Sequence, residues 1–157
     1  MAESLTVQSH AKINLYLDVL ERRTDGFHDI ETIYQTVSLC DTLTATGQDL
    51  LELDCDDPAT GPAEENLAYR AAKLLQDVTG CTHGALLELH KEIPVASGLA
   101  GGSGGAAATL VALNTLWELG LSENRLLDLA DGLGSDVPYC LIGGTMGGRE
   151  RGNTLLP

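Results

Sequence analysis

The chain has 157 residues, 43% of them hydrophobic, with nine basic side chains against 23 acidic ones and a formal net charge of −14. That length fits one domain with a real core. So negative a chain repels nucleic acid and anionic membranes, which makes neither an expected partner, and no apolar run reaches the length of a membrane helix.

Residues 5–20 alternate and predict a long strand. Ala11, Ile13, Leu15, Leu17 and Val19 share one face, expected to pack on the core; His10, Lys12, Asn14, Tyr16 and Asp18 share the other. Lys12 and Asn14 are thus presented side by side, although a solvated strand lysine is the ordinary reading of Lys12. Residues 21–29, ERRTDGFHD, form a turn around Asp25-Gly26, with Phe27 and His28 at its exit. Phe27 is the single phenylalanine of the chain. In a polar loop it suits stacking on a planar ligand, or plugging a strand edge. Residues 30–39, 41–46 and 50–54 read as a second, third and fourth strand, and 56–65 as a polar connector. Asn66 caps an amphipathic helix over 67–78, with Ala71, Leu74, Leu75 and Val78 as its stripe.

Residues 85–93 read as a further strand and 106–119, AAATLVALNTLWEL, as a helix. Between them, within PVASGLAGGSGGAAAT (94–109), lie five glycines, with Ser103 central among them. Strand, glycine loop and helix together present bare backbone N–H groups to an anion. The loop reads as a phosphate cradle, with Ser103 as a hydroxyl donor or metal ligand. A nucleotide P-loop needs Lys-Ser/Thr after its glycines, and no lysine follows here. A dinucleotide fingerprint fits Gly102–Ala107 by spacing, but it should lead to a second strand ending in an acid. Here a second helix follows instead, over 123–133, with Ser122 as N-cap and Leu126, Leu129, Ala130 and Leu133 inward. A glycine turn that only permits tight packing is the remaining alternative.

Asp136, in GSDVPY, lies between a glycine turn and Pro138. A proline suits a first helical turn, which puts Asp136 near a helix start, where capping is its plain role. Residues 143–149, GGTMGGR, begin a strand. Cys40, Cys55, Cys81 and Cys140 are dispersed, with no CxxC pair and no zinc spacing, so reduced thiols in a cytoplasmic protein are expected. The start, MAESLTVQSH, lacks the basic-then-apolar order of a secretory signal.

Four segments in order, AKINLYLDV, RTDGFHDIETIYQ, PVASGLAGGSGGAAATLVALNTLW and GLGSDVPYCLIGGTMGGRERG, resemble the GHMP small-molecule kinases. Within them the pattern is similar to the branch that acts on a cytidine-diphosphate-bearing alcohol in non-mevalonate isoprenoid synthesis. The resemblance implies an α+β fold, the GHMP N-terminal domain, with a mixed sheet and helices packed on one side. It implies that residues 1–157 are one ATP-binding domain and that a second, C-terminal domain is missing, leaving a face through which the chain self-associates. It implies Lys12 and Asp136 as the catalytic pair. It places Asn14, Phe27 and His28 on the cytidine substrate, with Phe27 standing for the usual tyrosine. Asn66 falls near adenine, and Pro94, Gly98, Leu99, Ala100, Gly101, Gly102, Ser103, Gly104, Gly105 and Ala106 on the ATP phosphates. Mg²⁺ is expected with ATP, Ser103 being the candidate ligand. Ala100 stands where glycine is usual, and Gly104-Gly105 where a serine and an acid or amide are usual. That loss is expected to remove a cap or metal contact. A non-catalytic binding fragment, or another GHMP kinase, remains the alternative.

Overall fold

In the computed structural model, residues 3–157 are described. β1 (Ser4–Arg22) and β2 (His28–Gln48) form a long antiparallel hairpin. Its turn is held by the Phe27 N–H donating to Asp25 Oδ1 at 3.1 Å, with Gly26 at φ +89°. The two strands expected over 30–39 and 41–46 are one. Asp41 looked like a break. It is fully buried, and its carboxylate accepts from the N–H groups of Glu92 and Ile93 at 2.7 and 2.8 Å.

β2 carries β1 along one edge. Along the other it pairs with β4 (Gly84–His90) through residues 42–48 and with β5 (Thr145–Arg149) through residues 32–35. β3 (Leu51–Cys55) runs parallel to β4, and β6 (Thr154–Leu156), which no sequence signal marked, runs antiparallel to β5. The sheet is therefore mixed.

Period two fails in β1. The pairing shifts between His10 and Lys12 and again between Asn14 and Tyr16. Such irregularities re-aim side chains. Ala11 and Lys12 are both buried, whereas Ile13, Leu15, Leu17 and Val19 are 37%, 59%, 54% and 57% exposed. Of the face expected in the core, only Ala11 lies there. Beyond the second shift Leu17 pairs with Thr32 and Val19 with Ile30, so both stand on the side of Tyr34, past the reach of the helices.

α1 (Leu67–Thr79), α2 (Gly101–Leu116), α3 (Glu123–Leu133) and the short α4 (Val137–Ile142) pack on one face. Leu43, Ala45, Leu87 and Leu89 of the sheet meet Leu75, Leu110, Leu113 and Leu129 of the helices. Glu52, Glu88 and His90 line the open face. Asn66 caps α1 through Ala68 N–H at 2.9 Å, and Ser122 caps α3 through Arg125 N–H at 3.3 Å. Val78 is 43% exposed and leaves the expected α1 stripe, because Ala68, Ala71, Ala72 and Leu75 suffice to seat that helix.

α2 starts at Gly101, not at Ala106. Glycine is a poor helix former, yet residues 101–105 are helical, and at Gly101 and Gly104 an added Cβ would crowd packed side chains. A Cβ on Gly104 would overlap the Ser9 hydroxyl, and one on Gly105 would touch Ala68 and Leu89 at 3.8 Å. A side chain at position 104 would require the Ser9 hydroxyl to move. Among the described residues no helix is long and apolar enough to cross a membrane.

Candidate active site

Past β4 the chain is held from below. Asp41 grips the N–H groups of Glu92 and Ile93, and its second oxygen pairs with Lys91 Nζ. Lys91 is pressed under the start of α2, where a Cβ on Gly101 would come within 2.9 Å of its Nζ. Residues 94–100 then loop over, and Ala100 enters α2 in the left-handed region at φ 61°. That conformation favours glycine, and a Cβ there costs about 1–2 kcal/mol. This is the physical content of an alanine standing where glycine is usual.

The result is a cavity of about 360 Å³ lined by Glu65, Asn66, Lys91, Pro94, Gly98, Ala100, Gly101, Gly102, Ser103 and Asp136. No side chain caps α2. Gly104 N–H is the first to bond within the helix, to Ala100 O at 2.8 Å, so the amides of residues 101–103 have no helical partner. They carry the partial positive charge of a helix start, with bare backbone around it. Asn66 lines this cavity and caps α1 at once.

Leu99 stays out of the cavity lining, and its carbonyl accepts from Lys12 N–H at 3.1 Å, tying the loop to β1. Gly104, Gly105 and Ala106 are buried behind the wall and do not line it.

At the far end of the cavity Lys12 Nζ lies 4.0 Å from Asp136 Oδ2 and donates to Asn14 Oδ1 at 2.7 Å. Asn14 Nδ2 donates to Thr32 Oγ1 at 2.7 Å, and Thr32 donates to Tyr16 O at 2.6 Å. Because Thr32 spends its proton on Tyr16, Asn14 must turn its NH₂ to Thr32 and its oxygen to Lys12. The β1 irregularity beside Leu15 is what brings Tyr16 O within reach. Tyr34, 1% exposed, donates to Asp136 Oδ1 at 3.2 Å, and its ring sits 5.4 Å from Lys12 Nζ. Burial, then the Asp136 charge, push the Tyr34 phenol up, so it is a donor near neutral pH. Burial and the same charge push the Cys140 thiol up to about 12. An ammonium and a carboxylate meeting beside an anion-binding helix start can take a proton from a hydroxyl and offset charge on a transferring group.

Phe27 and His28 lie away from this cavity, at the end of the hairpin. Phe27 is 51% exposed, with the Arg151 guanidinium 5.2 Å over one face of its ring. Tyr34, Thr32, Lys91, Asp41 and Arg151 were not among the expected site residues. Asp41 alone carried a signal, as an acid inside a long run of strand formers.

The sequence profile described as "GHMP kinases N terminal domain" matches residues 66–144. The chain belongs to the GHMP kinase family. Among GHMP relatives, a protein of Symbiobacterium thermophilum named 4-diphosphocytidyl-2-C-methyl-D-erythritol kinase is 53% identical over 136 residues, covering 86% of this chain and 48% of that protein. A protein of the same name from Mycolicibacterium vanbaalenii is 48% identical over 155 residues, covering 97% and 48%. The crystal structure titled as 4-(cytidine 5'-diphospho)-2C-methyl-D-erythritol kinase superposes with a TM-score of 0.83 at 38% identity, over 98% of this chain and 55% of that one. The chain spans about half the length of the curated relatives it matches. The expected fold, a GHMP N-terminal domain with a mixed sheet and helices on one side, is the fold observed.

Proposed function

We propose that this chain is the ATP-binding half of a kinase that phosphorylates the 2-hydroxyl of 4-diphosphocytidyl-2-C-methyl-D-erythritol, residues 1–157 acting as one N-terminal domain. One observation carries the reading: the Lys12–Asp136 pair, 4.0 Å apart, beside a glycine-walled helix start. The names of the relatives support the choice of acceptor.

The acceptor oxygen bonds to the γ-phosphorus, the bond to the ADP oxygen breaks, and the hydroxyl proton passes to Asp136. Lys12 offsets charge on the phosphoryl oxygens, and the chain Lys12–Asn14–Thr32–Tyr16 fixes where that ammonium sits. The free amides at 101–103 hold phosphate, and Asn66 borders the adenine end. Pro94, Gly98 and Ala100, which line the cavity, border the phosphates with those amides, and Leu99, Gly104, Gly105 and Ala106 support the loop and helix from behind. Asn14, Phe27 and His28 take the cytidine-bearing substrate.

Mg²⁺ asks little of the protein, because phosphates and waters fill most of its positions. Among the described residues no three His, Cys, Asp or Glu side chains cluster as a metal cage. The Ser103 hydroxyl, facing the same cavity as Glu65 and Asp136, fits that sparse demand. Ser103 would hold the ion, which would supply positive charge to offset that of the phosphates. Four free cysteines suit a reducing cytoplasm. Exposed Leu15, Leu17, Val19 and Phe27 favour self-association, to be read by sedimentation.

The test is ADP release by the chain, supplemented with the C-terminal half of a relative, with and without the diphosphocytidyl alcohol. Release should depend on that alcohol. Asp136→Asn should bind ATP normally and lose about two to four orders of magnitude in turnover. Near-normal turnover in the variant refutes the base, and release indifferent to the acceptor refutes the substrate.

A further inference from the structure

Aspartate is among the preferred N-cap residues, and Asp136 occupies the N-cap of α4. It nevertheless makes no cap hydrogen bond, and its backbone is helical (φ −89°, ψ −12°) rather than extended. A recipient is available. Val137 N–H is taken by Gly134 O at 3.2 Å and residue 138 is proline, but Tyr139 N–H has no partner among the described residues. Something holds the carboxylate away from it.

We propose that Tyr34 is a positioning residue that keeps the Asp136 carboxylate off its own helix and aimed into the cleft. Tyr34 takes Oδ1, which leaves Oδ2 toward Lys12. The hydroxyl can do this because its ring cannot move. One face stacks on Tyr139, with centroids 4.6 Å apart. Two bare glycines wall the ring. A Cβ on Gly148 would lie 2.8 Å from Tyr34 Cε2, and one on Gly152 would overlap the hydroxyl itself. The far side of Tyr139 is pinned in turn, its hydroxyl donating to Gly144 O at 2.6 Å. Lys12 stands over the same Tyr34 ring, so one rigid aromatic sets both members of the pair. Only the kinetic consequence rests on the proposed function; the position of the carboxylate does not.

Tyr34→Phe keeps the ring, the stack and the contact with Lys12 and deletes one donor. The released carboxylate should cap α4. Amide hydrogen exchange at Tyr139 in the 157-residue chain should then slow by about 2- to 30-fold, the worth of an aspartate cap. Tyr34→Phe/Asp136→Ala has no carboxylate to cap with and should return Tyr139 to the wild-type rate. In the supplemented kinase assay Tyr34→Phe should lower kcat about 10- to 150-fold, the worth of a hydrogen bond to a charged group, with KM for ATP unchanged. Equal Tyr139 exchange in wild type and Tyr34→Phe overturns the proposal, as does unchanged kcat in a protein that is active to begin with. A wild-type protein with no transfer at all sinks the proposed function, and the exchange comparison still decides the role of Tyr34.

Discussion

Asp41→Asn tests how the glycine-rich helix is held in place. The asparagine oxygen can still accept from Glu92 and Ile93 N–H, so the backbone grip survives. The charge does not. Lys91, whose side chain is 5% exposed, is left with a buried ammonium facing an amide. Breaking a buried pair from one side costs about 3–5 kcal/mol, because the remaining charge is neither hydrated nor matched. Domains of this kind hold about 5–15 kcal/mol in all. The variant therefore forfeits about a fifth or more, and at 2–4 °C per kcal/mol its Tm falls by about 6–20 °C. Adding Lys91→Met removes the stranded charge, and such apolar replacements are often neutral or better. The double variant should recover at least about 2 kcal/mol relative to Asp41→Asn alone. Urea unfolding followed by circular dichroism and by the single tryptophan, Trp117, 7% exposed, reads both. An Asp41→Asn variant within about 1 kcal/mol of wild type refutes the reasoning, as does a double variant whose loss equals the sum of the two singles.

Phe27→Ala should weaken binding of the diphosphocytidyl substrate by roughly 1–3 kcal/mol, the worth of a stacked base, and leave ATP affinity alone; equal losses in titrations of the two ligands would make Phe27 a structural plug. Gly102→Val adds a side chain whose first atom meets only Leu67 Cδ1, at 3.9 Å, so the fold should tolerate it while ATP binding collapses; unchanged ATP affinity would remove the phosphate from this loop. Cys140, held protonated to about 12 while an unfolded thiol titrates near 9, should resist alkylation at pH 8.5, and stability should stay intact below pH 9 and decline from 9 to 12; native labelling of all four thiols at one rate would contradict the burial that raises it.

The elements that local chemistry decides were legible. Asn66 and Ser122 cap the helices that follow them, and Asp25-Gly26 turns the hairpin. The glycine stretch read as a loop and not as helix, because intrinsic propensity argues against helical glycine, and the close neighbours that favour a bare backbone, Lys91 and Ile93 at Gly101 and Ser9 at Gly104, leave no local pattern. Lys12 and Asn14 were found together, but alternation put them on the wrong side of β1. Register shifts depend on the partner strand and leave no trace in a period-two pattern. Asp136 was legible as a residue at a helix start, where the tendency to cap is local. What cancels that tendency is Tyr34, and a tyrosine in a run of Thr, Ile and Val reads as an ordinary strand residue.

Tyr34 and Asp136 meet although 102 positions apart in the chain, and Thr36 and Tyr139 although 103 apart. The β1–β2 hairpin can zip from its own turn, and α1, α2 and α3 are local structures. The Lys12–Asp136 pair waits for α4 and β5 to close a loop of about a hundred residues, with the entropy that such closure demands. During folding the pair should therefore assemble after the sheet has formed. The same contacts come apart first when the chain opens partially, so proteolysis or exchange at α4 should report loss of the pair while the hairpin is still protected.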